Sequence, residues 1–329
     1  MSDDIQMTCI EISEPGGPEV LKPARRPRPE AGPGELLIQV AAAGVNGPDL
    51  MQRKGLYPPP KGASDLLGLE VAGTVEAVGE EVEGWQPGDA VCGLTNGGGY
   101  AEFCAVDAGH CLPIPRDLSA VEAASLPETY FTIWSNIFMT AGLGAGEVYL
   151  VHGGAGGLGT TSVQLGKAFG ATVVATDSPA ERCAIAAELG ADRVIDYAEE
   201  DFVEIVRGEF GGAQVILDIV GGPYIERNIK AARHDCRIVQ LAFALGSKVE
   251  INLMPVMLKR LLYTGSTLRS RPDGYKAQVA AELREKVWPL FTEGTLKPVV
   301  NTTLPLAEAA AAHALMESAG HTGKIVLSV

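Results

Sequence analysis

The residues best placed to do chemistry in this chain are glycines. Gly154, Gly156 and Gly159 form G-x-G-x-x-G within Val148-Tyr-Leu-Val-His-Gly-Gly-Ala-Gly-Gly-Leu-Gly159. An apolar run leads straight into this turn and a helical pattern leaves it, the context in which such a turn holds the pyrophosphate of a dinucleotide. Gly154 is expected to permit the tight turn, Gly156 to let backbone approach the pyrophosphate, and Gly159 to let helix and strand pack closely. Together with Ala155, Gly157 and Leu158 they place N–H groups at a helix N-terminus, where free donors and the positive end of the dipole attract an anion. Eighteen residues after Gly159, Asp177 ends the next apolar run, where a carboxylate can accept hydrogen bonds from ribose hydroxyls. Arg182, five residues further, can instead pair with a 2′-phosphate. The first signal points to NADH and the second to NADPH. Asp177 can also cap the helix that begins at Ser178-Pro179.

Other chemically active side chains are dispersed. The six cysteines, Cys9, Cys92, Cys104, Cys111, Cys183 and Cys236, contain no C-x-x-C pair, and the five histidines form no local cluster with metal-ligand spacing. Reduced thiols are expected in a chain long enough to need no staples. His152 reads as a buried, hydrogen-bonded residue at the end of a central strand rather than a catalyst. Asp49, four residues before Arg53, reads as half of a local ion pair. The 41 acidic and 26 basic residues leave a net charge of -15, whose field repels nucleic acid and anionic lipid. Met1-Ser2-Asp3-Asp4 is not a basic segment followed by an apolar one, and no apolar stretch reaches the roughly 18 residues that span a bilayer. A cytoplasmic protein with a small-molecule partner is expected, binding neither nucleic acid nor membrane.

The elements that must position these residues fall into three segments. Up to Leu126 the chain is rich in Gly and Pro with short β-type runs such as Glu35–Val40 and Val71–Val75, which predicts a β-rich domain without helices. The next segment alternates short apolar strands with amphipathic helices, the pattern of βαβ units on a parallel sheet. Strands are expected at 147–151, 172–176, 193–196, 215–218 and 237–241, and helices at 158–169, 179–189, 201–206 and 224–232, with Pro179 in a first turn. The tail predicts a helix over 275–291, a strand near Val299, a helix over 306–316 and a last strand at 324–327. The domains are therefore expected at 1–126 with 268–329, the chain end completing the β-rich start, and at 127–267.

Several motifs carry a resemblance that covers nearly the whole chain. They are Ser13-Glu-Pro-Gly-Gly-Pro-Glu-Val20, Gly44-Val-Asn-Gly-Pro-Asp-Leu50, Gly55-Leu-Tyr-Pro-Pro59, Gly68-Leu-Glu-Val-Ala-Gly73, the glycine turn, Asp196-Tyr197 and Thr322-Gly-Lys-Ile-Val326. With them the sequence resembles the zinc-free quinone oxidoreductases of the medium-chain dehydrogenase/reductase superfamily. Asp49–Arg53, Gly97–Gly99 and Leu268-Arg-Ser-Arg271 are most similar to the tumour-suppressor-inducible subgroup. The resemblance implies an α/β fold, a GroES-like β-rich catalytic domain plus a Rossmann domain with a doubly wound parallel sheet.

The superfamily's alcohol dehydrogenases hold a catalytic zinc with Cys, His and Cys. Here Asn46 stands where the first Cys is expected, Leu69 replaces the His before Glu70, and Glu128 falls where the second Cys would lie. Glu70 alone cannot hold Zn²⁺. Without that Lewis acid, oxidation of an alcohol through its alkoxide is disfavoured, which leaves hydride delivery to an acceptor that delocalises charge by itself, a quinone or conjugated carbonyl.

By resemblance, Asn46 and Tyr57 line the cleft between domains and are the catalytic candidates: Tyr57 contacts cofactor and acceptor, and Asn46 bonds to the nicotinamide ribose or substrate. Thr132, read as the start of the helix entering the nucleotide domain, matches a nicotinamide-side contact, with capping or packing as its alternative. Tyr197 matches a contact near the adenosine phosphate. Leu241, Phe243, Thr267 and Leu268 match segments whose backbone meets the nicotinamide carboxamide. Arg269 and Arg271 are weaker candidates for a phosphate or acceptor oxygen. A homodimer is implied, joined through the edge near Leu262–Thr267, whose apolar character suits a covered edge. The expected activity is NAD(P)H-dependent quinone reduction, with the balance on NADPH and no zinc. Reduction of activated alkenes is the enzymatic alternative, with Tyr57 as the acid it would need. A crystallin-like or RNA-binding protein without catalysis is the other.

Overall fold

The chain opens on two antiparallel strands, β1 (Gln6–Ile12) and β2 (Leu21–Pro27), with Gln6 opposite Pro27. In this computed structural model residues 5–318 and 320–329 are described; the acidic start Met1-Ser2-Asp3-Asp4 lies outside them. The long apolar run Glu35–Val45 becomes β3, which pairs antiparallel with β4 (Glu70–Val78). β5 (Ala90–Leu94), β6 (Phe103–Asp107) and β7 (Cys111–Pro113) follow.

The expectation of a helix-free start is corrected by α1 (Gly47–Arg53) and the short α2 (Ala120–Ala123). Gly47 and Pro48 occupy a first helical turn, where the N–H that proline lacks would have no helical acceptor. Ser119 and Glu122 bond each other's backbone N–H groups ahead of α2, a capping box.

α3 (Pro127–Ile133) continues as a wide π-type turn over Trp134–Thr140. Beyond it strands and helices alternate: β8 (Val148–His152), α4 (Gly157–Ala168), β9 (Thr172–Asp177), α5 (Ala180–Glu188), β10 (Arg193–Asp196), α6 (Phe202–Phe210), β11 (Ala213–Asp218), α7 (Tyr224–Ala231), β12 (Ala232–Gln240), α8 (Met254–Lys259) and β13 (Leu262–Gly265). Every pairing in this sheet is parallel, in the order β10-β9-β8-β11-β12-β13. This is the doubly wound order of dinucleotide-binding sheets, with the reversal between β8 and β11. Pro179 sits just before α5 rather than inside its first turn.

The tail supplies α9 (Asp273–Lys286), α10 (Trp288–Thr292), β14 (Val300–Pro305), α11 (Ala309–Glu317) and β15 (Lys324–Ser328). The single helix expected over 275–291 is two, α9 ending at Lys286 and α10 starting at Trp288 with Pro289 in its first turn, where it has no N–H to continue the α9 ladder. β15 pairs antiparallel with β3, so the C-terminal strand enters the sheet begun by the N-terminal segment, in the order β14-β15-β3-β4-β5-β7 with β6 also on β3.

The chain divides into two compact units. One runs up to Phe131 and resumes at Arg269; the other is Thr132–Leu268. Ile38, Val71, Tyr100 and Ile325 are among the core residues of the first, and Leu150, Phe202, Ile216 and Ile238 of the second. No helix among the described residues is long and apolar enough to cross a membrane.

Candidate functional site

In the second unit, the turn after β8 is built from N–H groups that are nearly all spent. Gly153 and Gly154 both donate to the Thr176 carbonyl, Gly156 donates to that of Gly153, and Ala155 donates to Asp177 Oδ2 at 2.8 Å. The left-handed residue is Gly153, at φ 75°, not Gly154 as expected from the motif. Gly154 is required for a different reason: a Cβ there would lie 2.9 Å from Ala175 and 3.0 Å from Ala186, so β9 and α5 could not close on it. At Gly159 a Cβ would overlap the Gly153 carbonyl, which makes this position the close approach of α4 to its own turn.

Gly156 differs from both. A Cβ there meets only the Gly153 oxygen at 3.4 Å, so the backbone faces open space. The N–H groups of Gly157, Leu158 and Gly159, in the first turn of α4, have no acceptor within the helix. A bare backbone patch beside orphan donors at the positive end of a twelve-residue helix fits a pyrophosphate.

Asp177 and Arg182 pointed to different cofactors in the sequence; in the structure they bind each other. Arg182 Nε donates to Asp177 Oδ1 at 2.7 Å, and the other carboxylate oxygen holds Ala155. Asp177 is 3% exposed, so its carboxylate faces the glycine turn rather than solvent, while the Arg182 side chain is 20% exposed. Asp177 also accepts from the Ser178 N–H, but it does not cap the helix that follows, whose N-cap is Pro179 with no side-chain cap bond.

The remaining nucleotide-side candidates collect at the C-terminal ends of the parallel strands. Tyr197 follows β10 and is 48% exposed; Leu241 and Phe243 follow β12, with Phe243 47% exposed. Thr267 and Leu268 follow β13, where Thr267 is exposed and Leu268 buried. The backbone shares this end: Asp218 Oδ1, closing β11, accepts from Val220 and Gly221. Thr132 lies near the end of α3 rather than at a helix start, and its carbonyl accepts from Ser135 Oγ and Asn136 Nδ2. His152 is fully buried, with Nδ1 2.9 Å from Thr176 Oγ1 and Nε2 2.8 Å from Asn228 Oδ1. Both ring nitrogens are spent, which is the structural role expected.

The first unit contains a buried charge network that no sequence spacing announced. Lys324 Nζ lies 2.6 Å from Glu70 Oε1 and also donates to Asn46 Oδ1 and the Val45 carbonyl. Asn46 Nδ2 donates to Glu70 Oε1 at 2.9 Å, and the Glu128 N–H donates to Glu70 Oε2 at 2.8 Å. Glu70 is fully buried, and Gly44 has no room for a side chain because a Cβ would overlap its carboxylate. The Asn46 amide thus bridges Glu70 and Lys324 and orients the ion pair. The signal was present in Thr322-Gly-Lys324, since a buried Glu70 without a metal requires another cation.

Asp49 and Arg53 do not pair with each other. Asp49 accepts from the Asn46 and Gly68 N–H groups, and burial pushes its carboxyl up to about 6 despite them. Arg53 donates to Glu317 and the Gly16 carbonyl. Four residues of spacing place two side chains on one helix face, but each found a better partner across the unit.

Tyr57 is half-buried, and the Arg269 guanidinium carbon lies 5.6 Å from its ring centre. Arg269 is only 7% exposed and donates to Gln52 Oε1 and the Asn96 carbonyl, so it is built into the unit. Arg271 stacks on Tyr275 instead.

All six cysteines are free thiols. The structure brings together one potential metal-ligating group among the described residues, Asp107, His110 and Asp273, which sequence spacing concealed. Its atoms are already engaged: Asp107 accepts from Gly109, His110 Nε2 contacts the Asp273 carbonyl oxygen, and the Lys276 ammonium lies 3.5 Å from Asp273.

Residues 32–116 match the family described as alcohol dehydrogenase GroES-like domain, and residues 157–285 match that described as zinc-binding dehydrogenase. The quinone oxidoreductase of Mus musculus is 32% identical over 98% of this chain and 97% of its own length, and that of Homo sapiens 31% over similar shares. Among solved structures, a mycobacterial protein complexed with NADPH is 31% identical with a TM-score of 0.86, covering 98% of this chain and all of that one. CurK enoyl reductase is 29% identical with a TM-score of 0.85, covering 98% of this chain and 99% of that one.

Proposed function

We propose, from the premise that this chain belongs to the quinone oxidoreductase family of medium-chain dehydrogenase/reductases, that it is an NAD(P)H-dependent oxidoreductase delivering hydride to quinones without a metal. One observation carries the reading: an open glycine turn and a helix N-terminus at the reversal point of a parallel sheet in the order β10-β9-β8-β11-β12-β13. The nicotinamide supplies the hydride and the protein supplies position. In this reading Thr132–Leu268 is the nucleotide-binding domain, and the GroES-like unit, with Tyr57 beside Arg269, carries the acceptor contacts.

Zinc is not required. The three positions that would have to hold it carry Asn46, Leu69 and Glu128, of which Leu69 has no atom to offer a metal, and the Lys324 ammonium lies beside Asn46 and Glu70. A quinone needs no Lewis acid because its reduced form spreads charge over two oxygens. Reduction of activated alkenes is kept as a second reading by the match to an enoyl reductase structure.

NADPH is the preferred donor. Asp177 is turned inward onto Ala155 and Arg182, so it neither offers a carboxylate to a ribose hydroxyl nor presents its charge to a 2′-phosphate, whereas Arg182 remains partly exposed. Arg182→Ala is expected to lower kcat/KM for NADPH about 10- to 100-fold, the loss of roughly 1.5–3 kcal/mol of a charge-assisted bond, with less than about a threefold change for NADH. Steady-state kinetics with 9,10-phenanthrenequinone and each cofactor test both halves; equal losses would return the preference to NADH.

The active form is a homodimer. Leu253, Met254, Met257 and Leu258 on and before α8, and Leu262 on β13, the last strand of the sheet, are each about 60% exposed or more, and such a surface calls for a cover. Sedimentation at twice the chain mass supports this, and a monomer at micromolar concentration refutes it. Free thiols and the acidic charge suit a cytoplasmic protein with neither membrane nor nucleic acid as partner.

A further inference from the structure

We propose that Asp218, held by Asn228 and His152, is a positioning residue for the nicotinamide half of the cofactor: this buried relay fixes the turn after β11 and, through it, the exposed segment after β12. The inference rests on the reading above that Thr132–Leu268 binds NAD(P)H, and every residue in it belongs to that unit.

Asp218, Asn228, His152 and Thr176 make the relay, and all are buried. Asp218 Oδ1 accepts from the Val220 and Gly221 N–H groups at 2.7 and 2.9 Å. Its Oδ2 accepts from Asn228 Nδ2 at 2.9 Å. A carboxylate only accepts, so the orientation of the amide is set and Asn228 Oδ1 faces His152 Nε2, 2.8 Å away. Burial pushes the His152 pKa down and keeps the ring neutral. Nε2 therefore carries the proton, and Nδ1 accepts from Thr176 Oγ1 at 2.9 Å. Edge-on contacts with Phe202 and Tyr224 hold the ring between these partners.

What the relay holds is one lip of the crevice at the reversal point. Ligands of such sheets lie outside the carboxyl ends of the strands where the order reverses, here between β8 and β11. The glycine turn with Asp177 and Arg182 belongs to the first half of the sheet, the adenosine side. The turn after β11 opens the second half, the nicotinamide side.

That turn in turn places its neighbour. Gly221 and Gly222 are left-handed, at φ 66° and 51°. A Cβ on Gly221 would lie 2.7 Å from the Phe243 ring, and one on Gly222 2.6 Å from the Leu245 carbonyl oxygen, so the two segments are in close contact. The Gly222 N–H donates to the Gly246 carbonyl and that of Leu245 to Val220, each at 2.8 Å, while the Leu241 N–H donates to the Asp218 carbonyl at 2.9 Å. Residues 242–250 are exposed and lie outside any helix or strand. The bonds to the β11 turn therefore set where Phe243, a nicotinamide-side candidate, stands.

Calorimetric titration of the full-length protein with NADPH and with 2′,5′-ADP, which lacks the nicotinamide half, tests the proposal, with NADH and 5′-AMP as the matching pair. Asn228→Leu keeps the volume and removes the amide. It is expected to weaken NADPH about 10-fold or more, the scale of one buried hydrogen bond left unmade, and to leave 2′,5′-ADP within about twofold. A general loss of structure would weaken both ligands together. Asp218→Asn is the conservative control. Its amide can donate to Asn228 Oδ1 once the Asn228 amide turns over, His152 takes its other tautomer and the Thr176 hydroxyl accepts, so NADPH should stay within about threefold of the wild type. Hydrogen exchange on Asn228→Ser, a shorter side chain that does not span from His152 to Asp218, reads the segments without ligand. Amides of 219–222 and 243–246 should exchange about 10-fold faster or more, and those of 153–159 at the wild-type rate. Equal losses of NADPH and 2′,5′-ADP, unchanged NADPH binding, unchanged exchange over 219–222, or an Asp218→Asn protein as weak as Asn228→Leu would each overturn the proposal and leave the cofactor reading standing. A wild type that binds neither NADPH nor NADH would overturn the reading itself.

Discussion

Replacing Lys324 with methionine is expected to lower the unfolding free energy by about 3–5 kcal/mol, the cost of leaving one member of a buried ion pair uncompensated. Lys324 Nζ, itself 6% exposed, is the cation that meets the fully buried Glu70 carboxylate, at 2.6 Å. Without it, Glu70 keeps hydrogen bonds from Asn46 Nδ2 and the Glu128 N–H but no opposite charge. Methionine fills a similar volume, so the loss would report charge rather than a cavity. Adding Glu70→Gln to the variant should restore part of the stability, because a neutral amide needs no counter-ion, and the double change should cost less than the sum of the two alone. Chemical denaturation of the four proteins measures the cycle. A Lys324→Met protein within about 1 kcal/mol of the wild type would show that the ion pair is not what holds β15 to this part of the fold.

The second large effect falls on cofactor binding. Gly156→Val is expected to weaken NADPH binding at least 100-fold, about 2.7 kcal/mol, while leaving the melting temperature nearly unchanged. Gly156 has φ −77° and ψ 175°, an extended conformation open to valine, and its Cβ position meets only the Gly153 oxygen at 3.4 Å. The branched side chain would therefore stand in the space left for the pyrophosphate. Gly159→Ala separates the two kinds of glycine: its Cβ would collide with the backbone at Gly153 and Gly154, so both stability and binding should fall. Titration calorimetry together with thermal melts distinguishes them, and normal NADPH binding by Gly156→Val would mean that the phosphate lies elsewhere.

Much of the nucleotide-binding unit was legible in the sequence because its signals are local. A short apolar run, a glycine turn and an amphipathic helix adjoin one another, and the strand expected at 193–196 is the strand observed. The end of the sheet at which Tyr197, Phe243 and Thr267 gather follows from the alternation of strand and helix. What the motif did not show was the work divided among its glycines, since Gly153 turns the chain and Gly154 packs it. Nor could position alone say that Asp177 faces inward, because that depends on Ala155 and Arg182 competing successfully for its oxygens.

The β-rich unit was less legible because its decisive contacts are remote. Arg53 was read with Asp49, four residues away, yet pairs with Glu317, 264 residues away. Lys324 reaches Asn46 across 278 residues, and no periodicity joins them. The absent zinc ligands identified the right place, but a missing ligand does not state what replaces it. Here the Lys324 ammonium lies beside Glu70, 2.6 Å from its Oε1.

The most direct test of the account is NADPH oxidation by 9,10-phenanthrenequinone, measured on protein first treated with a strong chelator and then dialysed. Turnover is expected to be undiminished by chelation and unaffected by added Zn²⁺. No oxidation with any quinone, or activity that disappears on chelation and returns with zinc, would contradict it.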